Sequence, residues 1–121
     1  MDDKEFAREV RKQRRLERLG TNNPICGICA EADWRCMELH HIADHSCDDG
    51  TVILCRNCHR KASEAQRDQP AFDPQADPML HAAGRFLLGL ADLLRLIIEK
   101  LAEFGNALIA RAAPDHAEQV R

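Results

Sequence analysis

Two cysteine pairs constrain this chain more than any other feature of its sequence. Cys26 and Cys29 form one CxxC pair, Cys55 and Cys58 form a second, and residues 30–54 separate them. Four thiolates on two tight turns are the ligand set of a tetrahedral structural zinc ion. The spacing therefore predicts a zinc-stabilised unit held by all four cysteines, although any single cysteine could instead be a small buried apolar side chain.

Composition narrows the classes of protein further. The chain has 121 residues and six cysteines, and it opens on a charged stretch without an apolar segment behind it. These features predict a reducing, cytoplasmic setting in which clustered cysteines bind metal, and no apolar run reaches the roughly 18 residues of a membrane span. Aromatic residues make up 4%, which excludes a base-stacking sheet built on several rings. Cys36 and Cys47 are expected to be free, partly buried thiols, with redox sensing or an alternative ligand set as the second interpretation.

Turn and breaker residues divide the chain into segments of an α+β protein. Residues 37–40 and 51–54 read as two short strands, a turn at 48–50 lies between them, and a helix is expected to begin at Arg60. Pro70, Pro74 and Pro78 recur at a spacing of four, a pattern that neither a helix nor a central strand tolerates, so residues 67–77 are predicted to be a linker. The predicted segments are a basic N-terminal helix (1–20), a cysteine- and histidine-rich module (21–66), a Pro-rich linker (67–77), a long apolar helix (78–113) and a tail (114–121).

The last helix carries a seven-residue repeat. Leucines recur at 87, 94, 101 and 108, apolar residues follow at the matching offset, and the opposite position is polar from Arg85 to Asn106. A helix about 50 Å long is too long for so small a unit to cover, which predicts self-association, most simply as a homodimer through 78–113. The alternatives are a helix that folds back onto its own domain at Gly89 or Gly105, and a membrane-surface helix.

The N-terminal helix is strongly basic although the whole chain has a net charge of −3. Between positions 4 and 19, seven Lys or Arg residues face three Glu residues. Such a face can neutralise DNA phosphates, whereas the alternative is an ordinary solvated surface with Glu–Arg pairs. The candidate phosphate-binding residues are Arg8, Arg11, Lys12, Arg15, Arg56, Arg60 and Lys61.

Histidines accompany the cysteine pairs in a pattern that resembles a known family. The string ELHHIADHSCDDGTVILCRNCHR, with the flanking cysteine pairs, is similar to the zinc-ribbon branch of the HNH endonucleases over roughly residues 22–66. The resemblance implies a ββα-metal module and hydrolysis of DNA to 5′-phosphate and 3′-hydroxyl ends. By the same resemblance, His41 is the general base, and His40 and His59 bind a catalytic Mg²⁺ or Mn²⁺. Glu38 shares the face of His40 on a regular strand and is expected to orient it.

One family residue is missing from the pattern. In the family an Asn ties the loop that orients the base; it would fall at about Gly50, and Asp44 and His45 are nearby polar candidates to replace it. The sequence therefore predicts a metal-dependent DNA endonuclease, with a catalytically inactive zinc module that binds DNA or protein as the alternative. A further alternative is an assembly factor that associates through its last helix and in which the zinc only stabilises the fold. The histidines could also simply pack around the zinc or contact phosphate, and His45, His81 and His116 are expected to be surface residues.

Overall fold

The computed structural model describes residues 1–43 and 50–114, and these residues form a small α+β fold. The predicted turn at 48–50 and Asp44, His45 and Cys47 lie wholly or partly outside the described residues, as do His116 and the tail beyond residue 114. In chain order the elements are α1 (Asp3–Leu19), a turn of 3₁₀ helix (Trp34–Cys36), β1 (Met37–His41), β2 (Thr51–Cys55), α2 (Arg56–Gln66) and α3 (Pro78–Ala112).

Helix α1 begins and ends at local signals. The side chain of Asp2 accepts from the backbone amide of Glu5, and the side chain of Glu5 accepts from the backbone amide of Asp2, which together form a capping box. Gly20 ends the helix in the left-handed conformation at φ 78°. Only Leu16 and Leu19 are buried in this helix. Arg15 lies beside them and donates to the carbonyl oxygen of Met37 over 2.8 Å, which ties α1 to β1.

The two strands form an antiparallel hairpin that leads directly into α2. Met37 pairs with Cys55 and His41 with Thr51, and the amide of Ile42 donates to the carbonyl of Gly50 over 3.0 Å. The prediction that α2 begins at Arg60 is wrong, because the helix begins at Arg56. The second cysteine pair spans the start of this helix, where the sulfur of Cys55 caps it by accepting from the amide of Cys58 in its first turn.

The core lies where the hairpin, the cysteine pairs and α3 meet. Met37, Leu54 and His40 are fully buried, and Leu93 of α3 packs into the same cluster. Cys26, Cys55 and Cys58 belong to this cluster, so their sulfurs lie among apolar side chains.

Helix α3 is continuous and does not fold back. Asp77 caps it as predicted, Pro78 occupies its first turn, and the helix runs unbroken through Gly89 and Gly105. Part of the predicted polar row faces the body. The guanidinium of Arg85 donates to the carbonyl of Pro70 in the linker, and the amide of Gln69 donates to Asp92 over 2.7 Å.

Candidate functional site

The four predicted zinc cysteines come together at one point. The sulfurs of Cys26, Cys29, Cys55 and Cys58 all lie within 4.8 Å of one another, and the Cys29 and Cys55 sulfurs are 3.6 Å apart. Sulfurs around a tetrahedral zinc ion, with Zn–S near 2.3 Å, are about 3.8 Å apart, whereas a disulfide needs about 2.05 Å. The cluster could therefore hold a structural metal ion, and its donor set fits zinc.

Backbone hydrogen bonds shape the first cysteine turn. The amide of Cys26 donates to Glu31 over 2.8 Å, and the amide of Gly27 donates to the carbonyl of Ile53 on β2 over 2.9 Å. Ala30 takes a positive φ of 65° at the end of the turn. These bonds bring the first cysteine pair against the end of the hairpin, which carries the second pair.

Burial and hydrogen bonds shift the pKa values of the thiols in this cluster in opposite directions. Burial raises the pKa of Cys26, but backbone N–H groups of Cys29, Cys55 and Ile28 outweigh it and bring that pKa down to about 7. Burial, together with hydrogen bonds from the neighbouring thiols, strongly raises the pKa of Cys58. A divalent ion would replace these protons and compensate the thiolate charges, so metal affinity will depend on pH.

His40 and His41 lie on opposite faces of the hairpin. His40 is 2% exposed and its ring lies edge-on to that of His59 on α2, with 5.2 Å between ring centroids. His41 is half-buried and borders a cleft between the hairpin and α1. A regular strand separates adjacent side chains in this way, so His40 faces His59 on α2 and His41 faces the cleft beside α1.

Glu38 holds His59 rather than His40, contrary to the sequence-based expectation. Its Oε2 lies 3.2 Å from Nδ1 of His59, and its Oε1 lies 3.7 Å from the guanidinium of Arg56. A ring that donates from Nδ1 keeps a lone pair on Nε2, the arrangement common among metal-binding histidines.

His40 is held neutral and contacts a residue that the sequence analysis missed. Burial, followed by the nearby His59 and His41, lowers the pKa of His40 to about 4. The amide nitrogen of Gln66 lies 3.4 Å from its Nε2 and donates to the carbonyls of His41 (2.7 Å) and Ile42 (3.1 Å). Gln66 therefore ties the end of α2 to the histidine segment of β1. Only the packing of α2 on the hairpin shows this, since no local motif marks a glutamine near the end of a helix.

Arginines surround the exposed side of this region. The cleft that contains His41 has a volume of about 420 Å³, and a neighbouring cleft of about 480 Å³ contains His59; Glu38 and Arg56 border both. Arg18, Arg35 and Arg67, which the sequence analysis did not select, also line them, because α1, the 3₁₀ turn and α2 converge here. The arginines bordering the two clefts are Arg15, Arg18, Arg35, Arg56, Arg60 and Arg67.

The other predicted phosphate-binding residues are dispersed. Arg11 lies in a groove beside Arg15 and Trp34, whereas Lys12 lines a separate groove with Pro24. Lys61 lies on the outer side of α2, in a cleft of about 680 Å³ that Arg60 shares. Arg8 is exposed on α1.

Cys36 lies outside the four-cysteine cluster, and its thiol is exposed, whereas the sequence predicted a partly buried one.

Comparison of the chain with protein-family models, curated proteins and solved structures gives no match. No helix within residues 1–43 and 50–114 has the length and hydropathy needed to cross a membrane.

Proposed function

We propose that this chain is a metal-dependent endonuclease of the HNH type that hydrolyses DNA phosphodiester bonds, with His41 as general base. The observation that carries the proposal is the cleft of about 420 Å³ in which His41 lies among arginines of α1, the 3₁₀ turn and α2. Arginine forks match the geometry of phosphate oxygens, and histidine is the side chain that most often serves as general base.

The residues divide the work of hydrolysis. His41 takes a proton from the attacking water, whose oxygen bonds to phosphorus as the bond to the 3′ oxygen breaks. The 3′ oxygen gains a proton from solvent, which leaves 5′-phosphate and 3′-hydroxyl ends. Arg18 and Arg56, at the border of the cleft, hold the phosphate.

His40 and His59 would hold the divalent ion, Mg²⁺ or Mn²⁺. When bound, such an ion stabilises charge on the phosphate and on the departing oxygen. His40 suits this role because its lowered pKa keeps it unprotonated, and His59 suits it because Glu38 engages its Nδ1. The zinc cluster is structural in this proposal, since three of its cysteines belong to the core and Cys29 packs against it.

A second candidate is a zinc module that binds DNA or a protein partner without cleaving it. Two observations favour it. The amide of Gln66 already lies 3.4 Å from Nε2 of His40, and Gly50 stands where the family has its Asn. In that case the arginine cleft would bind phosphate, and the histidines would only pack against α2.

A plasmid assay separates the two candidates. Zinc-loaded protein is incubated with supercoiled DNA and Mg²⁺, Mn²⁺ or EDTA, and the variant His41→Ala is tested alongside. His81→Ala is the matched control, because the ring of His81 contacts Phe72 away from the clefts. Nicking that needs the added ion, falls at least about 100-fold in His41→Ala and persists in His81→Ala would support the nuclease.

Binding measurements complete the test. Absence of cleavage with either ion by folded, zinc-containing protein would refute the nuclease. Salt-dependent DNA affinity that weakens in Arg18→Gln would then support the binding module.

A further inference from the structure

The outer face of α3 is apolar along most of the helix. Residues that face the body, such as Gly89 and Leu93, are buried, but the apolar residues on the opposite side are not. Leu101, for example, is 64% exposed. The outer row, as we name this face, consists of Leu80, Leu87, Leu94, Ile98, Leu101, Leu108 and Ile109.

The body cannot cover this row. Helix α3 contacts α2, and every residue from position 101 to position 114 is exposed. The row runs from Leu80 to Ile109, which corresponds to about 44 Å of helix. Since the docked face and the outer row lie on opposite sides of one continuous helix, no bend of the body onto the helix would bury both.

We propose that the outer row binds the same row of a second copy of this chain, so that the protein is a homodimer through paired α3 helices. The seven-residue recurrence of Leu87, Leu94, Leu101 and Leu108 is the period at which two helices pack along their length. A two-fold axis brings identical surfaces together, and the row is self-complementary because none of its members is charged.

The size and charge of the surface fit this occupant. Burying one aliphatic side chain contributes about 1.5–3 kcal/mol, which at about 25 cal/mol per Å² corresponds to roughly 60–120 Å² of apolar surface. The outer row therefore presents on the order of 600 Å² per copy. Two copies would bury about 1,200 Å², which reaches the range of specific interfaces. The charges on α3 nearly balance, and Lys100 pairs with Glu103 over 3.1 Å, so the helix lacks the basic excess of a membrane-surface helix.

The arrangement leaves the candidate site open. The body docks on the side of α3 opposite the outer row, so paired helices would carry the two bodies on their outer sides. Each copy would keep its own zinc cluster and His41 cleft. The dimer does not depend on the proposed nuclease activity, and its test needs no DNA.

Light scattering coupled to size exclusion tests the proposal on the full, zinc-loaded chain. We expect a mass of twice 13.7 kDa. The double variant Leu94→Glu/Leu101→Glu places charges in the row and should give the monomer mass. Leu88→Glu is the matched control, because Leu88 is exposed but lies about 100° around the helix from Leu87, and it should stay dimeric.

Each other result overturns the proposal. A wild-type monomer at concentrations up to about 100 µM would do so, as would a dimer that survives the double variant with unchanged helix content by circular dichroism. Binding of wild-type monomer to vesicles of anionic lipid, lost in the double variant, would assign the row to a membrane surface instead. If the double variant fails to fold, the single variant Leu108→Glu, beyond the last contact with the body, replaces it.

Discussion

Replacing Gly89 by alanine would test how closely α3 approaches the end of β1. A Cβ at Gly89 would lie 1.7 Å from the carbonyl oxygen of Ile42 and 2.8 Å from its carbonyl carbon. Both are backbone atoms, so no side-chain rotation relieves the overlap, and α3 would have to move away by more than about 1 Å. That movement would disturb Leu93 in the core and the nearby bonds of Gln66 to the Ile42 segment.

The expected magnitude combines two opposing effects. Alanine is better than glycine inside a helix by about 1 kcal/mol, whereas overpacking costs about 1–3 kcal/mol and more where backbone must shift. We expect Gly89→Ala to lower the free energy of unfolding by about 1–2 kcal/mol. Gly84→Ala is the matched control, because a Cβ there meets nothing within 4 Å, and it should raise the free energy of unfolding by up to about 1 kcal/mol.

Urea unfolding of the zinc-loaded proteins, followed by circular dichroism, measures both effects. Each variant adds one methyl group to the same helix, so the difference in their unfolding midpoints isolates the contact with Ile42. If Gly89→Ala were as stable as Gly84→Ala, the close approach of α3 to the hairpin would be refuted, and with it the placement of the outer row opposite a docked face.

Three further predictions concern the site. Cys58→Ser should lower the zinc content below one ion per chain and destabilise the fold, and Cys36→Ser, at an exposed cysteine, is the control. Equal zinc content in both variants by mass spectrometry would contradict zinc binding by the cluster. Because the pKa of His40 is lowered to about 4 from an ordinary 6.5, the unfolded chain binds a proton between these values that the folded chain does not. Stability should therefore fall by up to about 3 kcal/mol as pH drops from 6.5 to 4. His40→Gln should show a shallower fall in urea titrations, and an unchanged slope would contradict burial of a neutral ring. Gln66→Leu removes the donor to the carbonyls of His41 and Ile42 and should cost about 1–3 kcal/mol; a loss below about 0.5 kcal/mol would show that these bonds do not form in solution.

The helix ends and the hairpin could be predicted from sequence because their causes are local. Gly20 ends α1 since it adopts a positive φ at low cost, and Asp77 with Pro78 begins α3 through a side-chain bond and a fixed φ. The start of α2 was mispredicted for a related reason. Its cap is the sulfur of Cys55, a residue rarely considered as a helix cap, and the bond forms because Cys58 places its amide in the first turn of the helix.

The sequence by itself determined that two CxxC turns offer four thiols as metal ligands, a donor set that fits zinc, whereas the pairing of the hairpin with the first turn brings them together. It also determined that one long helix carries an apolar seven-residue repeat. Only the tertiary structure decided which partner each histidine takes. Glu38 reaches His59 and Gln66 reaches His40 because α2 packs across one face of the hairpin, while α1 brings its arginines to the other face beside His41. Contacts between distant segments depend on the orientation of whole elements, and no local pattern along the chain encodes that orientation.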